Sequence, residues 1–415
     1  MIETTEIKPG YKKTKLGWIP EDWALIPLSD LSDKIGDGMH STPKYVDNSN
    51  FHFINGNNLK SKKIEINKKT KCVSQLEYDK HKKLLNSMTI LLSINGTIGS
   101  LAFYNEEKII LGKSAAYINL KNTVSKNYVA GQIESCHIQR VFQNSITGST
   151  IKNLSLGSIR KTKIPVPPLP EQKKIADILS TWDKAIETTQ ALVHKLKLRK
   201  KGLMQQLLTG KKRLPGFKGE WEECVFSDVS NRLTKKNTEL DDNVITISAQ
   251  RGFIRQEDYF NKRVASKTLS GYYLIDKGQF AYNKSYSKGY PMGAFKRLDD
   301  FDKAVVTTLY ICFEITEKAN SDFMVYYFEG GMLVRNLMKI AQEGGRAHGL
   351  LNISLGDFFG LKMTLPSTEE QTAIAQVLTK ADEEINRTQN YLEQLQEQKK
   401  GLMQQLLTGQ RRVVV

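Results

Sequence analysis

The chain has 415 residues, with 61 Lys+Arg against 44 Asp+Glu, a formal net charge of +17. That length admits two or three domains with a sizeable core, and 40% hydrophobic with 25% charged residues excludes a disordered chain. The longest apolar stretches, such as Thr89–Ile94, fall far short of the roughly 18–20 residues of a membrane span, and no apolar signal-peptide core opens the sequence. A cytoplasmic protein with no membrane partner is expected.

Along the chain, a Trp-containing lead-in, Leu16-Gly-Trp-Ile-Pro-Glu-Asp-Trp23, precedes a first middle segment over about 17–160. Short β-branched and aromatic runs there, Met88–Ile94 and Ile109–Leu120, alternate with Gly/Asn/Ser/Lys turns and read as mixed α/β. Pro165-Val-Pro-Pro-Leu-Pro170 halts that structure and starts a long helix, which Gly210 closes. A second lead-in holding Trp221 opens a second middle over about 215–360, with a strand run at Ala304–Ile315. Ser367-x-x-Glu370 reads as a capping box for a second long helix, closed by Gly409.

An internal repeat explains this order. Lys200-Lys201-Gly202-Leu203-Met204-Gln205-Gln206-Leu207-Leu208-Thr209-Gly210 recurs letter for letter as Lys399 through Gly409, an offset of 199. At the same offset Glu171-Gln172 meets Glu370-Gln371, and Ile175-Ala176 meets Ile374-Ala375. Trp23, Ser29 and Asp30 align with Trp221, Ser227 and Asp228 at offset 198. The chain is two copies of one unit, each a lead-in, a variable middle and a near-identical helix. Asn95-Gly-Thr-Ile-Gly-Ser100 stands where the second copy has Asn283-Lys-Ser-Tyr-Ser-Lys-Gly-Tyr290.

Both helices carry a narrow apolar seam. In the first it runs Ile175, Leu179, Trp182, Ile186, Thr189, Val193, Leu196, Lys200, Leu203 and Leu207. In the second it runs Ile374, Leu378, Ala381, Ile385, Thr388, Leu392, Leu395, Lys399, Leu402 and Leu406. Steps alternating between 4 and 3 put these residues on one stripe that needs a partner helix, and pairing of the two is the economical solution.

Charge is unevenly spread. Residues 1–170 hold 24 basic and 14 acidic residues and 171–213 hold 11 and 4, whereas 214–369 hold 20 of each and 370–412 hold 6 of each. A basic first half without membrane character points to a polyanion, most commonly nucleic acid. Eight basic residues of the first helix region, Lys195, Lys197, Arg199, Lys200, Lys201, Lys211, Lys212 and Arg213, could face DNA, an acidic partner or solvent. Residues for chemistry are missing. The four cysteines (Cys72, Cys136, Cys224, Cys312) have no metal-ligand spacing, and the only Pro-Pro is Pro167-Pro168, so no Asn/Asp-Pro-Pro-aromatic methyltransferase motif exists. Gly112-Lys113-Ser114 lacks the upstream glycine of a phosphate-binding loop and reads as a strand-end turn.

The chain resembles the specificity (S) subunit of type I restriction–modification enzymes over essentially its whole length. The resemblance rests on the lead-in, Gly38-Met-His-Ser-Thr-Pro-Lys-Tyr45 with Phe53-Ile-Asn-Gly56, Pro167-Pro-Leu-Pro-Glu-Gln172 with Leu365–Gln371, and the doubled Gly-Leu-Met-Gln-Gln-Leu-Leu-Thr-Gly. It implies an α/β fold of two similar mixed α/β target-recognition domains separated by two conserved helices forming an antiparallel coiled coil, a pseudo-twofold internal repeat. The expected boundaries are target-recognition domain 1 at 1–163, helix 1 at 164–213, domain 2 at 214–364 and helix 2 at 365–415. It further implies a non-catalytic subunit with no metal or cofactor of its own, whose domains each read half of a bipartite double-stranded DNA sequence. Two methyltransferase subunits and two restriction subunits would dock on it, bringing S-adenosylmethionine, ATP and Mg. The second lead-in, Leu214-Pro-Gly-Phe-Lys-Gly-Glu-Trp221, departs from the pattern.

DNA reading then falls to loops. In the first domain the candidates are His40, Ser41, Thr42, Lys44, Asn55, Asn57, Asn58, Asn95, Thr97, Thr147, Ser149, Thr150 and Lys152. In the second they are Gln250, Arg251, Lys284, Tyr286, Ser287, Lys288, Tyr290, Arg297, Arg346 and His348. Asn and Gln match the adenine edge, Arg the guanine edge, and Lys, Ser and Thr the phosphates. Two alternatives stand beside this reading: a coiled-coil scaffold for protein partners, and the specificity subunit of a methylation-only complex.

The seam also predicts a ruler. Some 36 helical residues at about 1.5 Å each make a rod of roughly 54 Å, and a separation of roughly 40–54 Å between the two modules corresponds to about 10–16 base pairs between half-site centres. Inserting a heptad into one helix should destroy pairing, and inserting one into both should lengthen the unread spacer. Sequencing of the methylated sites measures that spacer, and an unchanged one would refute the ruler.

Overall fold

The computed structural model describes residues 9–14, 16–147, 152–262, 264–266, 268–341 and 351–414. They form two compact units, Met1–Gln190 with Asn390–Val415, and Ala191–Gln389. Each unit therefore takes half of the first long helix (Leu169–Leu207) and half of the second (Thr368–Leu407).

In the first unit a four-stranded antiparallel sheet has the order Leu101–Phe103, Thr89–Ser93, Ala115–Leu120, Ser32–Asp37. The two central strands are buried at every position, which is why they appear in the sequence as largely apolar runs, broken only by Thr89, Ser93 and Asn119. Their core also receives Val129, Ala130 and Ile133 from helix Lys126–Glu134, capped by Ser125. A second sheet orders Ile109–Leu111, His52–Ile54, Cys72–Val73 and Tyr45–Val46, its first pair parallel. Ala24–Pro27 pairs with Lys163–Val166 and delivers the chain to the first long helix.

The second unit repeats this frame. Its four-stranded antiparallel sheet orders Ser230–Leu233, Ile311–Ile315, Phe280–Asn283, Ala294–Arg297, the same order read from the other edge. Helix Ser321–Glu329, capped by Asn320, stands for Lys126–Glu134, and the pair Glu222–Val225 with Lys362–Leu365 stands for the helix-delivering pair. Its core is aromatic: Phe226 meets Phe313 and Phe358 edge-on at 5.0 and 5.4 Å between ring centres.

The helices run antiparallel within each unit. In the first, Ile175, Ala176 and Leu179 pack with Leu406 and Leu407, and Lys399 Nζ lies 2.5 Å from Asp183 Oδ1. In the second, Ile374, Ala375 and Leu378 pack with Met204, Leu207 and Leu208, and Lys200 Nζ lies 2.6 Å from both oxygens of Asp382. Seam residues Ile175, Leu179, Val193, Leu196, Leu207, Ile374, Leu378, Ile385, Leu392, Leu395 and Leu406 are buried, while Trp182, Ile186, Leu203 and Leu402 are half-buried. The seam lysines thus form register-fixing ion pairs in an otherwise apolar stripe.

Both helices close alike. Gly210 and Gly409 adopt φ of +68° and +70°, and the chain turns back so that Lys212 N donates to Gln206 O, and Arg411 N to Gln405 O, each at 3.1 Å. The capping box expected at Ser367 is half formed. Ser367 Oγ accepts from Glu370 N at 3.4 Å, but the Glu370 carboxylate goes to Arg213 instead of back to the cap.

That carboxylate belongs to a reciprocal clamp. Arg213, just past the end of the first helix, holds Glu370 near the start of the second through two bonds of 2.6 Å. Arg412, just past the end of the second, holds Glu171 near the start of the first at 2.7 and 2.9 Å and also grips Asp22. Glu171 and Glu370 are only 3% and 1% exposed. Removing an arginine leaves a buried carboxylate without a countercharge; Arg412→Ala should cost about 2 kcal/mol, below the usual 3–5 because the guanidinium is itself partly in water and Trp23 Nε1 still donates to Glu171. Urea denaturation checks this, and Glu171→Gln should recover part of the loss.

Candidate nucleic-acid interface

The edges of the two sheets gather the polar loops. In the first unit Met39 bridges Gly112 and its N–H donates to Leu111 O at 2.8 Å, so the loop after Ser32–Asp37 lies against the Gly112–Ser114 turn. Ile94 N donates to Ser114 O at 3.0 Å, and Asn95 bridges Asn153. The loops carrying His40, Lys113, Asn95 and Lys152 therefore stand side by side in one row.

His40 Nε2 lies 3.0 Å from Asp37 Oδ2, and Ser41, Thr42 and Lys44 are exposed beyond it. Asn55 and Asn58 are committed to the frame. Asn58 Oδ1 accepts from Asn55 N at 3.0 Å, its amide donates to Glu65 O at 3.1 Å, and Asn55 Oδ1 accepts from Ser114 Oγ at 2.9 Å. A Cβ on Gly112 would come within 2.2 Å of that Asn55 oxygen, so this close approach requires glycine. Asn57 is exposed on the same turn. Thr97 is exposed, whereas Asn95 Oδ1 is buried with no hydrogen-bond partner among the described residues. Lys152 is exposed, and Thr147 pairs through its backbone with Asn153. Ser149 and Thr150 lie outside the described residues.

In the second unit Gln250 and Arg251 form the exposed tip of hairpin Ile245–Ser248/Gly252–Arg255. Gln250 Nε2 donates to Lys288 O at 2.9 Å, tying the tip to the loop between Phe280–Asn283 and Ala294–Arg297. That loop joins the same two strand positions as Ile94–Ser100 does in the first unit. Within it Ser287 and Tyr290 close a tight turn, Tyr286 is 63% exposed, and Lys288 is exposed. Lys284 is half-buried, its carbonyl accepting from Leu351 N at 3.1 Å. Tyr290 donates to Glu329 at 2.5 Å, and burial first, then that carboxylate, pushes its phenol upward. Arg297 is engaged by Asp299 and Asp322 at 2.7 Å each and by Ser321 at 3.0 Å, away from the Gln250–Lys288 group. Arg346 and His348 lie outside the described residues.

Lys113 escaped sequence reasoning, which saw in Gly112-Lys113-Ser114 only a failed phosphate loop. The structure exposes its side chain between the His40 and Asn95 loops. Only strand pairing brings those three loops together, so no local signal marks it. Among the described residues no group of three His, Cys, Asp or Glu side chains could hold a metal, and no helix is long and apolar enough to cross a membrane. Because the two asparagines brace the turn, Asn55→Ala should lower the melting temperature by a few degrees while Lys113→Ala leaves it unchanged, as differential scanning fluorimetry would show.

Residues 20–198 match the family described as type I restriction modification DNA specificity domain. The type I restriction enzyme MjaVIII specificity subunit of Methanocaldococcus jannaschii is 27% identical over 80% of this chain and 80% of its own length. The crystal structure of the type I restriction–modification S subunit from M. genitalium matches with a TM-score of 0.55 at 14% identity, covering 97% of this chain and 99% of that one. A structure described as the basis of complex assembly and conformational transition of the type I R-M system matches at 0.58 and 13% identity, covering 95% and 99%.

Proposed function

We propose that this chain, similar to the specificity subunits of type I restriction–modification systems, is itself such a subunit and that each unit reads one half of a bipartite DNA target. The observation that carries this is the recurrence of polar loops at the same position of two equivalent sheets, with different residues in each. A conserved frame keeps the geometry, and Asn95-Gly-Thr97 against Gln250-Arg251 with Lys284–Lys288 lets each unit present its own donors and acceptors to base edges.

The chain supplies recognition and no chemistry of its own. Methyltransferase subunits would dock on it and bring S-adenosylmethionine, and restriction subunits, where present, would bring ATP and Mg. The basic surplus of the first half fits a unit that also takes most of the phosphate contacts.

The experiment is single-molecule sequencing of genomic adenine methylation with and without this gene in its host. Loss of one bipartite motif on deletion is the expected result; an unchanged methylome in a host that expresses the complex would favour a protein scaffold. In the assembled complex, Lys113→Ala should weaken binding to all duplexes alike and reduce the salt slope of log K by about 1, the signature of one lost phosphate contact. A changed base preference without a change in salt slope would assign Lys113 to base reading instead.

A further inference from the structure

One junction is built differently in the two units. The seam aspartates are equivalent: Asp183 accepts from Lys399, and Asp382 from Lys200. Each then takes a second partner from the recognition half of its own unit. In the second unit it is Tyr326, whose hydroxyl lies 3.0 Å from Asp382 Oδ2 and 3.1 Å from Thr379. Tyr326 sits on helix Ser321–Glu329; the matching position of helix Lys126–Glu134 is Gly131, which has no side chain to reach Asp183. That register is fixed independently. Gln371 Oε1 accepts from Asn320 N at 2.8 Å and Gln172 Oε1 from Ser125 N at 3.0 Å, so the two caps are equivalent.

In the first unit Lys62 takes the place of Tyr326. Its ammonium lies 2.6 Å from Asp183 Oδ2 and 3.2 Å from Glu134. Burial works against the charged ammonium, but the two carboxylates outweigh it and hold the group above its usual range. Asp183 is likewise held below the usual carboxylate range: burial raises it, and Lys399 and Lys62 more than offset that.

Lys62 arrives there on a strained turn. Leu59–Lys60 and Lys63–Ile64 form a two-residue hairpin whose central residues, Ser61 and Lys62, have φ of +49° and +62°. Such turns normally take Asn-Gly, and a lysine in that conformation is maintained only where its surroundings impose it. The backbone of Lys62 is also tied inward: its N–H donates to Leu101 O at 3.2 Å, and its carbonyl accepts from Phe103 N at 3.0 Å. Leu101–Phe103 is the strand that directly follows the Asn95–Ser100 loop. Lys62 thus links a candidate reading loop, through a single strand, to the ion pair at the helix seam, while its neighbour Lys63 pairs with Glu187 on the more exposed face of the same helix.

We propose that Lys62 is a positioning residue for target recognition, fixing the tilt of the first recognition domain on its helix pair and so the spacer length the complex accepts. This rests on the DNA-reading function proposed above. Its second-unit equivalent is Tyr326, a phenol doing with one hydrogen bond what Lys62 does with an ion pair.

The test replaces the native gene with Lys62→Met, Lys62→Arg and Glu134→Gln in the host and maps methylated adenines at single-molecule resolution. For Lys62→Met the expected result is unchanged half-site sequences, with methylation about tenfold higher than wild type at sites whose spacer is one base pair longer or shorter. Lys62→Arg should restore the wild-type spacer, and Glu134→Gln, which leaves the Asp183–Lys399 pair intact, should relax it partly. A lowered melting temperature with wild-type spacer selectivity in Lys62→Met would overturn the proposal and leave Lys62 a purely structural residue. If Lys62→Met fails to accumulate, Glu134→Gln decides: strict spacing there refutes the idea. A wild-type methylome without a bipartite motif would instead refute the DNA-reading function itself.

Discussion

Everything in this fold hangs on two buried carboxylates. A long helix whose seam is only one residue wide can slide along its partner by a heptad at modest cost, because leucine meets leucine again. Glu171 and Glu370 remove that freedom. Each lies in the first turn of one helix, where backbone N–H groups favour a negative charge, and each needs the arginine that follows the end of the other helix. A slip of one heptad would move both arginines by about 10 Å and strand two charges in apolar surroundings. The glutamine beside each carboxylate completes the arrangement. Gln172 and Gln371 donate to Pro167 O and Pro366 O, and accept from the cap of the recognition helix in their own unit. A two-residue motif thereby fixes helix register and attaches a domain to it.

The two copies are not equally finished. Trp23 Nε1 donates to Glu171 at 3.2 Å, and Arg412 lies over the Trp23 ring; Arg213 lies over Trp221 in the same way, but Trp221 Nε1 is buried without a partner among the described residues. The second lead-in, which departs from the Gly-Trp-Ile-Pro pattern of the first, delivers its tryptophan without the hydrogen bond. The arginines differ too: Asp22 gives Arg412 a second carboxylate, while Arg213 donates to the Gly219 carbonyl although Glu220 stands at the equivalent position. The apolar contact and the clamp were retained, and the polar detail drifted.

How much of this was legible in the sequence depended on distance along the chain. The seam, the proline start, the glycine closures and the twofold repeat are periodic or local, and the structure has them where the pattern put them. The repeat also located Asn95–Ser100 opposite Asn283–Tyr290 before any strand order was known, because loops between equivalent strands keep their place when their length and residues change. The roles of Glu171, Gln172, Arg213 and Arg412 were invisible although all four fall at the repeat's offset of 199: identical letters say that a residue is needed, and only the folded chain says for what. Asn55, Asn58 and Arg297 show the opposite failure. Their chemistry suits a base edge equally well, and nothing local reveals that Ser114, Glu65 or Asp322 already occupies them.

Charge follows the same logic. The second recognition segment is neutral in sequence, and its folded form spends several of its cations internally: Lys296 on Glu329, Arg297 on Asp299 and Asp322, Lys303 on Glu239. Among the described residues, the exposed basic side chains of its Gln250 and Tyr286 loops are chiefly Arg251 and Lys288. The first unit keeps Lys44, Lys113 and Lys152 exposed around its row of loops. Phosphate attraction is long-ranged and nonspecific, whereas base-edge hydrogen bonds are short-ranged and informative. On the DNA-reading function proposed above, a basic first half and a neutral second would divide the work: the first would supply most of the phosphate attraction, and the second would add base-edge contacts at little cost in nonspecific binding.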